Sequence, residues 1–458
     1  MSLLASISGI RGTIGGDADD GLNPLNIAAF TAAFAEFLKV HSPIKSRKIV
    51  VGRDGRISGK MIQRIVVGTL QAQGFDVVRL GFATTPTTEI AVDHEKADGG
   101  IIITASHNPR HWNALKLLNH RGEFLSAEEG EEVLRIAGEK ALSFAPVDNL
   151  GSIVKRDYTD RHILDVVTLP AVDVEAIRAA GFTVAIDTIN SVGAAILPGL
   201  LKSLGVKEVY MINGDITGDF AHTAEPLPEN LTDLSKTVVG KKASVGFAVD
   251  PDVDRLAIIN EDGTPFGEEN TIVAIADYLL SLNPGATTVS NLSSSRGLKD
   301  VTLRHGGKYY ASKVGEVNVV EKMKAVGALF GGEGNGGVIY PAAHYGRDAL
   351  VGIALFLTIM AKKFLKPTQI LSLLPQYAMV KKRVDLKPDT NVDEILKKVA
   401  TGFKDRAEVS TEEGVKLDFP EGWVHLRKSN TEPIIRIYAE GKDAAAAGAL
   451  ADEVIRLM

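Results

Sequence analysis

A run of β-branched residues gives way to small and polar side chains around Ser106. The segment from Gly99 to Pro109 reads GGIIITASHNP. Its apolar part predicts a buried strand of a parallel sheet, and α/β proteins place their sites in the loops that follow such strands. A serine in this loop is a nucleophile, a phosphate carrier or a residue that completes a turn. The segment by itself leaves these roles open.

Three aspartates alternate between the apolar runs Val245–Val249 and Leu256–Ile259. Alternate side chains of an extended segment lie on one side, so the carboxylates of Asp250, Asp252 and Asp254 are expected to converge. Three such charges between buried flanks are costly unless a hard cation neutralises them. They leave coordination positions open for water and phosphate oxygens, which suits Mg²⁺. The alternative is a solvated acidic turn, which the apolar flanks disfavour.

The same aspartate spacing occurs in the EF-hand calcium loop, in which Glu261 would supply the last ligand. That loop requires glycine at its sixth position, where this chain has Arg255. It also lies between helices, whereas the flanking runs here predict strands. We therefore reject an EF-hand.

A basic segment near the carboxyl end has the composition of an anion receptor. It runs Arg427-Lys-Ser-Asn-Thr-Glu-Pro433, and Arg436 follows it. Two guanidinium groups, hydroxyls and loop amides together suit phosphate, and a solvated basic turn is the alternative. The run Gly9–Thr13, which contains Arg11, is a weaker candidate for a second phosphate contact.

Five glycines in Gly331-Gly-Glu-Gly-Asn-Gly-Gly337 allow the backbone to approach a ligand closely. The segment matches neither the P-loop nor the dinucleotide fingerprint. Glu333 and Asn335 within it offer a carboxylate and an amide, which suit sugar hydroxyls. A flexible turn is the alternative.

Together, a serine at a strand end, a hard-cation site and an anion receptor predict phosphoryl transfer through a covalent phosphoserine. Mg²⁺ would neutralise charge on the transferring group. Lys116 or His107 would handle the proton of the nucleophile.

The elements that carry these segments alternate between short apolar runs and amphipathic stretches. Runs such as Thr183–Asp187 predict strands, and stretches such as Pro24–Val40 and Glu268–Leu282 predict helices. Such alternation implies mainly parallel sheets covered by helices. After Pro367 the pattern changes to that of a smaller α+β unit. The predicted fold class is α/β, with three α/β units and a C-terminal α+β unit.

The composition limits the class of protein. With 458 residues and 45% apolar content, the chain can bury several cores. A net charge of −6 without blocks of like charge predicts no nucleic-acid or membrane partner, and the lack of cysteine excludes thiolate chemistry. The N-terminus has no signal-peptide pattern, and the most apolar stretch, Ala349–Ala361, is shorter than the roughly 18–20 residues that span a bilayer. We expect a soluble cytoplasmic protein, and we leave its oligomeric state open.

Four of these segments, in this order and at this spacing, resemble the α-D-phosphohexomutase family over essentially the whole chain. They are the carrier loop Thr104–Pro109, the metal loop Asp250–Arg255, the glycine loop Gly332–Gly337 and the phosphate loop Arg427–Pro433. The resemblance implies three similar α/β domains with mixed, mainly parallel sheets and a C-terminal α+β domain, arranged around a central cleft. We place these domains at residues 1–152, 153–256, 257–368 and 369–458.

The resemblance also implies a reaction. Phosphorylated Ser106 would donate its phosphoryl group to a hexose monophosphate, and the resulting hexose 1,6-bisphosphate would turn around and return its other phosphate. Mg²⁺ would be held by an oxygen of Ser106 and by the three aspartates. Lys116 is the leading acid/base candidate, with His107 as the second, and Arg11 and Arg255 would support the reacting phosphate. The substrate-binding residues would be Glu333, Asn335, Arg427, Ser429, Asn430, Thr431 and Arg436.

The identity of the sugar is the part of the expected function that the sequence determines least. The run Gly9-Ile-Arg-Gly12 is more similar to the N-terminal motif of phosphoglucosamine mutases than to that of phosphomannomutase/phosphoglucomutases. The glycine loop departs from the common bacterial patterns, which have serine in place of Asn335 and histidine in place of Gly337. We favour glucosamine phosphates, with mannose and glucose phosphates as the alternative.

Two rival functions belong to other classes. A non-catalytic relative would only bind sugar phosphates or a partner, but every residue that the chemistry requires is present. A serine hydrolase would use Ser106 and His107, yet adjacent residues rarely form a productive hydrogen bond and Ser106 lacks the GxSxG elbow. A hydrolase would also leave the three aspartates unexplained.

Overall fold

The computed structural model describes residues 3–6, 9–17, 20–387, 390–428 and 434–458. The chain packs into two compact units. The first comprises residues 1–271 and 335–370, and the second comprises residues 272–334 and 371–458.

The first unit opens with a mixed sheet. Its strands are β1 (Leu3–Ser6), β2 (Gly9–Thr13), β3 (Lys48–Arg53), β4 (Asp76–Phe82), β5 (Gly99–Ile103), β6 (Trp112–Leu118) and β7 (Ile153–Lys155). They lie in the order β1-β2-β6-β5-β3-β4-β7, and β5, β3, β4 and β7 are parallel to one another. The helices of this region are α1 (Pro24–His41), α2 (Gly59–Ala72), α3 (Thr85–His94) and α4 (Ala127–Glu139), followed by a 3₁₀ turn at Val147–Asn149.

A second sheet in the same unit has strands β8 (Thr183–Asp187), β9 (Glu208–Ile212), β10 (Val245–Val249) and β11 (Leu256–Ile259). Their order is β11-β10-β8-β9, with β11 antiparallel to β10 and the other pairs parallel. The helices are α5 (Thr159–Val167), α6 (Val174–Ala180), α7 (Gly193–Ser203) and α8 (Thr232–Lys241), with a 3₁₀ turn at Pro228–Asn230.

The chain enters the second unit within α9 (Glu268–Leu282). There it forms β12 (Thr287–Asn291), α10 (Gly297–Arg304), β13 (Lys308–Ser312), α11 (Glu316–Val326) and β14 (Phe330–Glu333), with β12 parallel to both β13 and β14. It then returns to the first unit for β15 (Gly337–Ile339) and α12 (Ala349–Lys363), and it leaves again within α13 (Pro367–Leu373).

The C-terminal part of the second unit is an antiparallel sheet with two helices. Its elements are β16 (Ala378–Asp385), α14 (Val392–Phe403), β17 (Glu408–Ser410), β18 (Val415–Phe419), β19 (Gly422–Lys428), β20 (Ile434–Gly441) and α15 (Ala444–Leu457). The strand order is β16-β20-β19-β18-β17.

Local sequence signals explain where several helices begin. Asn23 caps α1 by accepting hydrogen bonds from Leu25 N and Asn26 N, and Ser126 with Glu129 forms a reciprocal capping box at α4. The apolar stretch that begins at Ala349 forms the buried helix α12.

The core of the first unit contains this helix. Phe356 of α12 packs edge-to-face against Phe247 and Phe266, with ring centroids 6.2 and 5.1 Å apart. Within the part of the chain that the structure describes, neither α12 nor any other helix meets the length and apolarity needed to cross a bilayer.

The predicted fold class is confirmed: mixed, mainly parallel sheets covered by helices precede an antiparallel α+β segment. The pairing of two strands moves two of the predicted domain boundaries. Strand β7 pairs with β4 and therefore belongs to the first sheet, and β11 pairs with β10 and belongs to the second. We keep the four-domain division as a proposal, with its first two boundaries after Lys155 and Ile259.

Candidate active site

Ser106 follows strand β5 in a tight loop of the first unit. Its backbone lies in the left-handed region with φ 46°, which is sparsely populated for residues with a side chain. Ser106 N donates to Thr104 Oγ1 at 2.9 Å, and Asn108 N donates to Ala105 O at 3.0 Å. The turn is therefore closed without the serine hydroxyl, which donates instead to Asp250 Oδ2 at 2.7 Å. This geometry argues against the turn-completing role and leaves the hydroxyl for chemistry.

The serine loop is held in place by Arg56, a residue that the sequence analysis missed. Its side chain is 1% exposed, and Nε donates to Asp54 Oδ2 at 3.1 Å. The rest of the guanidinium donates to the backbone oxygens of Ser106, Asn108, Pro109 and Trp112, at 2.5 to 2.9 Å. The buried Arg56 guanidinium thus satisfies four backbone carbonyl groups of the loop and stabilises the strained conformation of Ser106.

The three aspartates converge, but through a turn instead of an extended segment. Val253 N donates to Asp250 O at 3.1 Å, and Val253 itself has φ 65°. Asp250 Oδ1 accepts hydrogen bonds from the backbone N of Asp254 and Arg255, both at 3.1 Å. The extended geometry predicted for this segment is therefore wrong, because the loop curls around the Asp250 carboxylate.

The result of this turn is a compact carboxylate cluster. One ligand atom of each aspartate lies within 4.8 Å of the others, and all three side chains are buried. The flanking elements are strands β10 and β11, as expected when the EF-hand was rejected.

Asp252 and Asp254 each have one carboxylate oxygen that accepts hydrogen bonds from neighbouring side chains and one that does not. Asp252 Oδ2 accepts from Lys116 Nζ at 2.8 Å and from Thr85 Oγ1 at 2.6 Å, and Asp254 Oδ2 accepts from Arg347 Nη2 at 2.5 Å. Oδ1 of Asp252 and Oδ1 of Asp254 are buried and have no hydrogen-bond partner among the described residues. Buried carboxylate oxygens without a donor are costly. The donor set of these oxygens and Asp250 therefore fits a hard cation such as Mg²⁺.

The pKa shifts of Asp250, Asp252 and Lys116 reflect how their charges are buried next to one another. Burial, together with repulsion from Asp254 and Asp252, raises the pKa of Asp250 well above its usual range. Burial also acts to raise the pKa of Asp252, but the Lys116 ammonium outweighs it and the net pKa is lowered. For Lys116, burial acts to lower the pKa, and Asp252 with Asp254 outweighs that effect, so the pKa is raised. Lys116 is thus held as an ammonium group.

Cationic groups also surround the serine. Arg11, on β2, donates from Nη1 to Asn108 Oδ1 at 2.7 Å. Arg255 Nη1 lies 3.6 Å from Glu225 Oε1, and its buried Nε has no hydrogen-bond partner among the described residues. Burial, with repulsion from Arg255 and Arg11, lowers the pKa of His107 to about 2. The His107 imidazole is therefore neutral, with Nδ1 3.4 Å from Ser106 Oγ.

The remaining predicted residues that the structure describes are divided between the two units. Asn335 is in the first unit, where its Oδ1 accepts from Gly337 N at 3.1 Å. In the second unit, Glu333 is 4% exposed, and its Oε1 accepts from Asn291 Nδ2 at 2.9 Å and from Gly315 N at 3.1 Å. Also in the second unit, Arg427 and Arg436 are register partners on β19 and β20, and Arg427 Nη1 donates to Glu413 Oε1 at 3.0 Å. Ser429, Asn430 and Thr431 lie outside the described residues.

A buried histidine–carboxylate network lies near the aspartate cluster in the first unit. His162 Nδ1 is 2.9 Å from Thr87 Oγ1, and its Nε2 is 2.8 Å from Asp348 Oδ2. His344 Nε2 is 3.1 Å from the same Asp348 oxygen, and its Nδ1 is 3.3 Å from Glu89 Oε2. Helices α3, α5 and α12 are thereby joined through polar side chains.

This network predicts a pH-dependent contribution to stability. Burial acts to lower the pKa of His344, but hydrogen bonds to Asp348 and Glu89 outweigh it and raise the pKa to about 10. The unfolded value is about 6.5, so His344 stabilises the fold fully below that pH and loses this contribution as pH rises towards the folded pKa.

We expect His344→Gln to lower the free energy of unfolding most at about pH 6 and progressively less towards about pH 10. Urea unfolding of both proteins across this range measures the difference, with the exposed His41→Gln as the control. A difference that grows with pH would contradict the assignment.

Three residues that act on this site were missed by the sequence analysis. Arg56 follows β3 in the run Gly52-Arg-Asp-Gly-Arg56, and glycine and charge at a strand end were an available signal. Thr85 begins α3, and Arg347 precedes the cap of α12. No local pattern marks either of them, because their contacts to Asp252 and Asp254 join distant parts of the chain.

Comparison with known proteins shows similarity along nearly the whole chain. Family models described as "Phosphoglucomutase/phosphomannomutase, alpha/beta/alpha domain" I, II and III match residues 4–143, 160–263 and 268–377. The model of the C-terminal domain of the same family matches residues 379–457.

Two curated relatives and one solved structure are similar over nearly their full length. A phosphoglucomutase/phosphomannomutase of Thermococcus kodakarensis is 35% identical over 444 residues, which is 96% of this chain and 95% of the relative. A phosphoglucosamine/phosphogalactosamine mutase of Sulfurisphaera tokodaii is 33% identical over 464 residues, covering 100% and 99%. The crystal structure of a phosphoglucomutase/phosphomannomutase family protein from Burkholderia thailandensis superposes with a TM-score of 0.85 at 26% identity, covering 100% and 97%.

Proposed function

The chain belongs to the phosphoglucomutase/phosphomannomutase family, and we propose that it interconverts hexose 6-phosphates and hexose 1-phosphates through a phosphorylated Ser106. The observation that carries this proposal is the hydrogen bond from Ser106 Oγ to Asp250 in a buried aspartate cluster. A hydroxyl fixed beside a hard-cation site is suited to accept and donate a phosphoryl group. Hexose 1,6-bisphosphate is the proposed intermediate and activator.

We assign Mg²⁺ to Asp250, Asp252 and Asp254, together with an oxygen at Ser106. When bound there, the cation would neutralise charge on the transferring phosphoryl group. Lys116 and Arg347 each hold one carboxylate oxygen and keep the opposite oxygen of Asp252 and Asp254 available. The two carboxylates are thereby oriented for the cation in the metal-free protein.

The proton transfer is assigned to Lys116 in preference to His107. In the first transfer, the bond from phosphorus to Ser106 Oγ breaks, a bond to a sugar hydroxyl forms, and Ser106 Oγ gains the proton that the hydroxyl loses. Lys116 would relay this proton: its ammonium gives a proton to Ser106 Oγ, the amine so formed takes up the proton that the sugar hydroxyl loses, and the return step reverses both transfers. His107, whose pKa is lowered to about 2, is a poor proton carrier, and we assign it an orienting contact to Ser106.

We assign the residues that would contact the phosphates and the sugar from their charge and their position in the chain. Arg11 is bonded to the serine loop and Arg255 has a buried donor without a partner among the described residues, so both are assigned to the reacting phosphate. Glu333 and Asn335 are assigned to the sugar hydroxyls. The distal phosphate is assigned to Arg427, Ser429, Asn430, Thr431 and Arg436. Because such substrates carry phosphate charge and do not cross bilayers unaided, we propose a cytoplasmic location.

Glucosamine phosphate is the proposed preferred substrate. The N-terminal run around Arg11 supports it, as does the relative named phosphoglucosamine/phosphogalactosamine mutase. The relative named phosphoglucomutase/phosphomannomutase supports the alternative, in which mannose or glucose phosphates are preferred.

A direct comparison of substrates tests this function. We expect kcat/KM for glucosamine 6-phosphate to exceed those for mannose and glucose phosphates by at least about tenfold, because a site built for a polar group discriminates against its absence. Each substrate is assayed with Mg²⁺ and a trace of the matching 1,6-bisphosphate, with Ser106→Ala as the blank. A higher value for mannose or glucose phosphate would favour the alternative. Absence of turnover with all three would contradict a mutase and favour a non-catalytic binding protein.

A further inference from the structure

Gly337 leaves a space that the side chain of Arg347 fills. A Cβ atom built on Gly337 would lie 2.4 Å from Arg347 Cδ, 3.1 Å from Arg347 Cγ and 3.0 Å from Asn335 Oδ1. Gly337 is buried in strand β15, and its φ is not in the left-handed region. The backbone itself therefore accepts a side chain at this position, and it is mainly the arginine that excludes one.

The Arg347 side chain, whose aliphatic part passes over Gly337, places its guanidinium at the aspartate cluster. Arg347 is 7% exposed, and its Nη2 donates to Asp254 Oδ2 at 2.5 Å. Asp254 Oδ1 is buried without a partner among the described residues. Lys116 Nζ lies 3.5 Å from Asp254 Oδ2, so Arg347 provides the shorter contact to that oxygen. Binding of one carboxylate oxygen fixes the rotation of the group, so the position of the other oxygen depends mainly on Arg347.

The backbone that carries Arg347 is itself fixed. Asp348 N donates to Val338 O at 2.9 Å, and the Asp348 carboxylate caps α12 by accepting from Leu350 N at 2.8 Å. The same carboxylate binds His162 and His344 in the network described above. Arg347 therefore cannot move away from a new side chain at position 337 without breaking buried contacts or leaving Asp254.

We propose that Arg347 is a positioning residue for the metal ligand Asp254, and that glycine at position 337 is required so that Arg347 can reach it. This rests on the metal site assigned under the proposed function. It goes further by coupling a residue of the glycine loop to the metal affinity of the aspartate cluster. The residue at position 337 thereby acts on the metal site.

Binding of Mn²⁺ alone to the metal-free protein tests the coupling, measured by the loss of the free-ion electron paramagnetic resonance signal. We expect Arg347→Ala to weaken Mn²⁺ binding about tenfold, as losses of ligand-orienting partners do, and Arg347→Lys to recover part of the loss because it keeps the charge without the planar fork. Gly337→Ala should weaken binding to a similar degree. Adding Gly337→Ala to Arg347→Ala should cost nothing further, since the arginine is already absent.

The control is Gly240→Ala, where the added methyl group meets nothing within 4 Å, and it should bind as the unmodified protein does. Unchanged or tighter binding in Arg347→Ala would overturn the proposal, because loss of a cation without loss of orientation favours metal. Losses that multiply in the double variant would also overturn it. If Arg347→Ala does not fold, the Mn²⁺ affinities of Gly337→Ala and Gly240→Ala are compared instead, and equal affinities would overturn the proposal. Absence of Mn²⁺ binding in the unmodified protein would instead refute the metal assignment itself.

Discussion

Replacing Ser106 with alanine is expected to abolish phosphorylation of the protein and to lower kcat by at least about 10⁴-fold, because the group that carries the phosphoryl is removed. The backbone of the loop should survive the change. Arg56 and Thr104 hold it through backbone atoms of residues 106 to 112, and neither contact uses the serine hydroxyl.

Intact mass after incubation with a hexose 1,6-bisphosphate measures the first effect. The unmodified protein should gain one phosphate and the alanine variant none, whereas the exposed Ser203→Ala should gain it normally. A serine hydrolase would lose its activity in the same variant but would not take up phosphate, so the mass separates the two functions. Uptake by Ser106→Ala, or none by the unmodified protein, would contradict a phosphoserine mechanism.

Asp252→Asn is expected to lower kcat by about 10²- to 10⁴-fold and to weaken Mn²⁺ binding. The substitution keeps the shape of the side chain and removes one negative charge from the cluster. It also weakens the buried contact at 2.8 Å to Lys116, the group assigned to proton transfer. Both changes act on the transferring phosphoryl group.

Steady-state turnover at saturating Mg²⁺, together with a Mn²⁺ titration, measures these effects. Asp187→Asn is the matched control, because Asp187 is equally buried at the end of β8 but bonds to Asn213 and His222 outside the cluster. We expect near-normal turnover for the control. The same result for Asp252→Asn would contradict the metal assignment.

The sequence predicted several of the elements and the residues that could do chemistry. Strands such as β8 and β10 have the bounds expected from their apolar runs, and Asn23, Ser126 and Glu129 cap helices that begin within three residues of them. These features depend on side-chain periodicity and on hydrogen bonds between near neighbours, which a linear pattern records.

Other features depended on packing between distant segments. The aspartates were expected to converge by alternation along a strand, but Val253 adopts a left-handed conformation and the loop curls around Asp250. Arg56 reaches the serine loop across 50 positions of sequence. No local propensity predicts such contacts, because their energy comes from buried partners that only the folded chain brings together.

Sequence by itself therefore determined the fold class, the serine at the strand end and the three carboxylates that make phosphoryl transfer the expected chemistry. Tertiary structure alone decided that the serine hydroxyl donates to Asp250, and that Lys116 and Arg347 bind one oxygen of Asp252 and of Asp254 while the other oxygen has no partner among the described residues. The physical reason is that residue type sets which groups can react. Burial and long-range hydrogen bonds set which oxygen faces which partner.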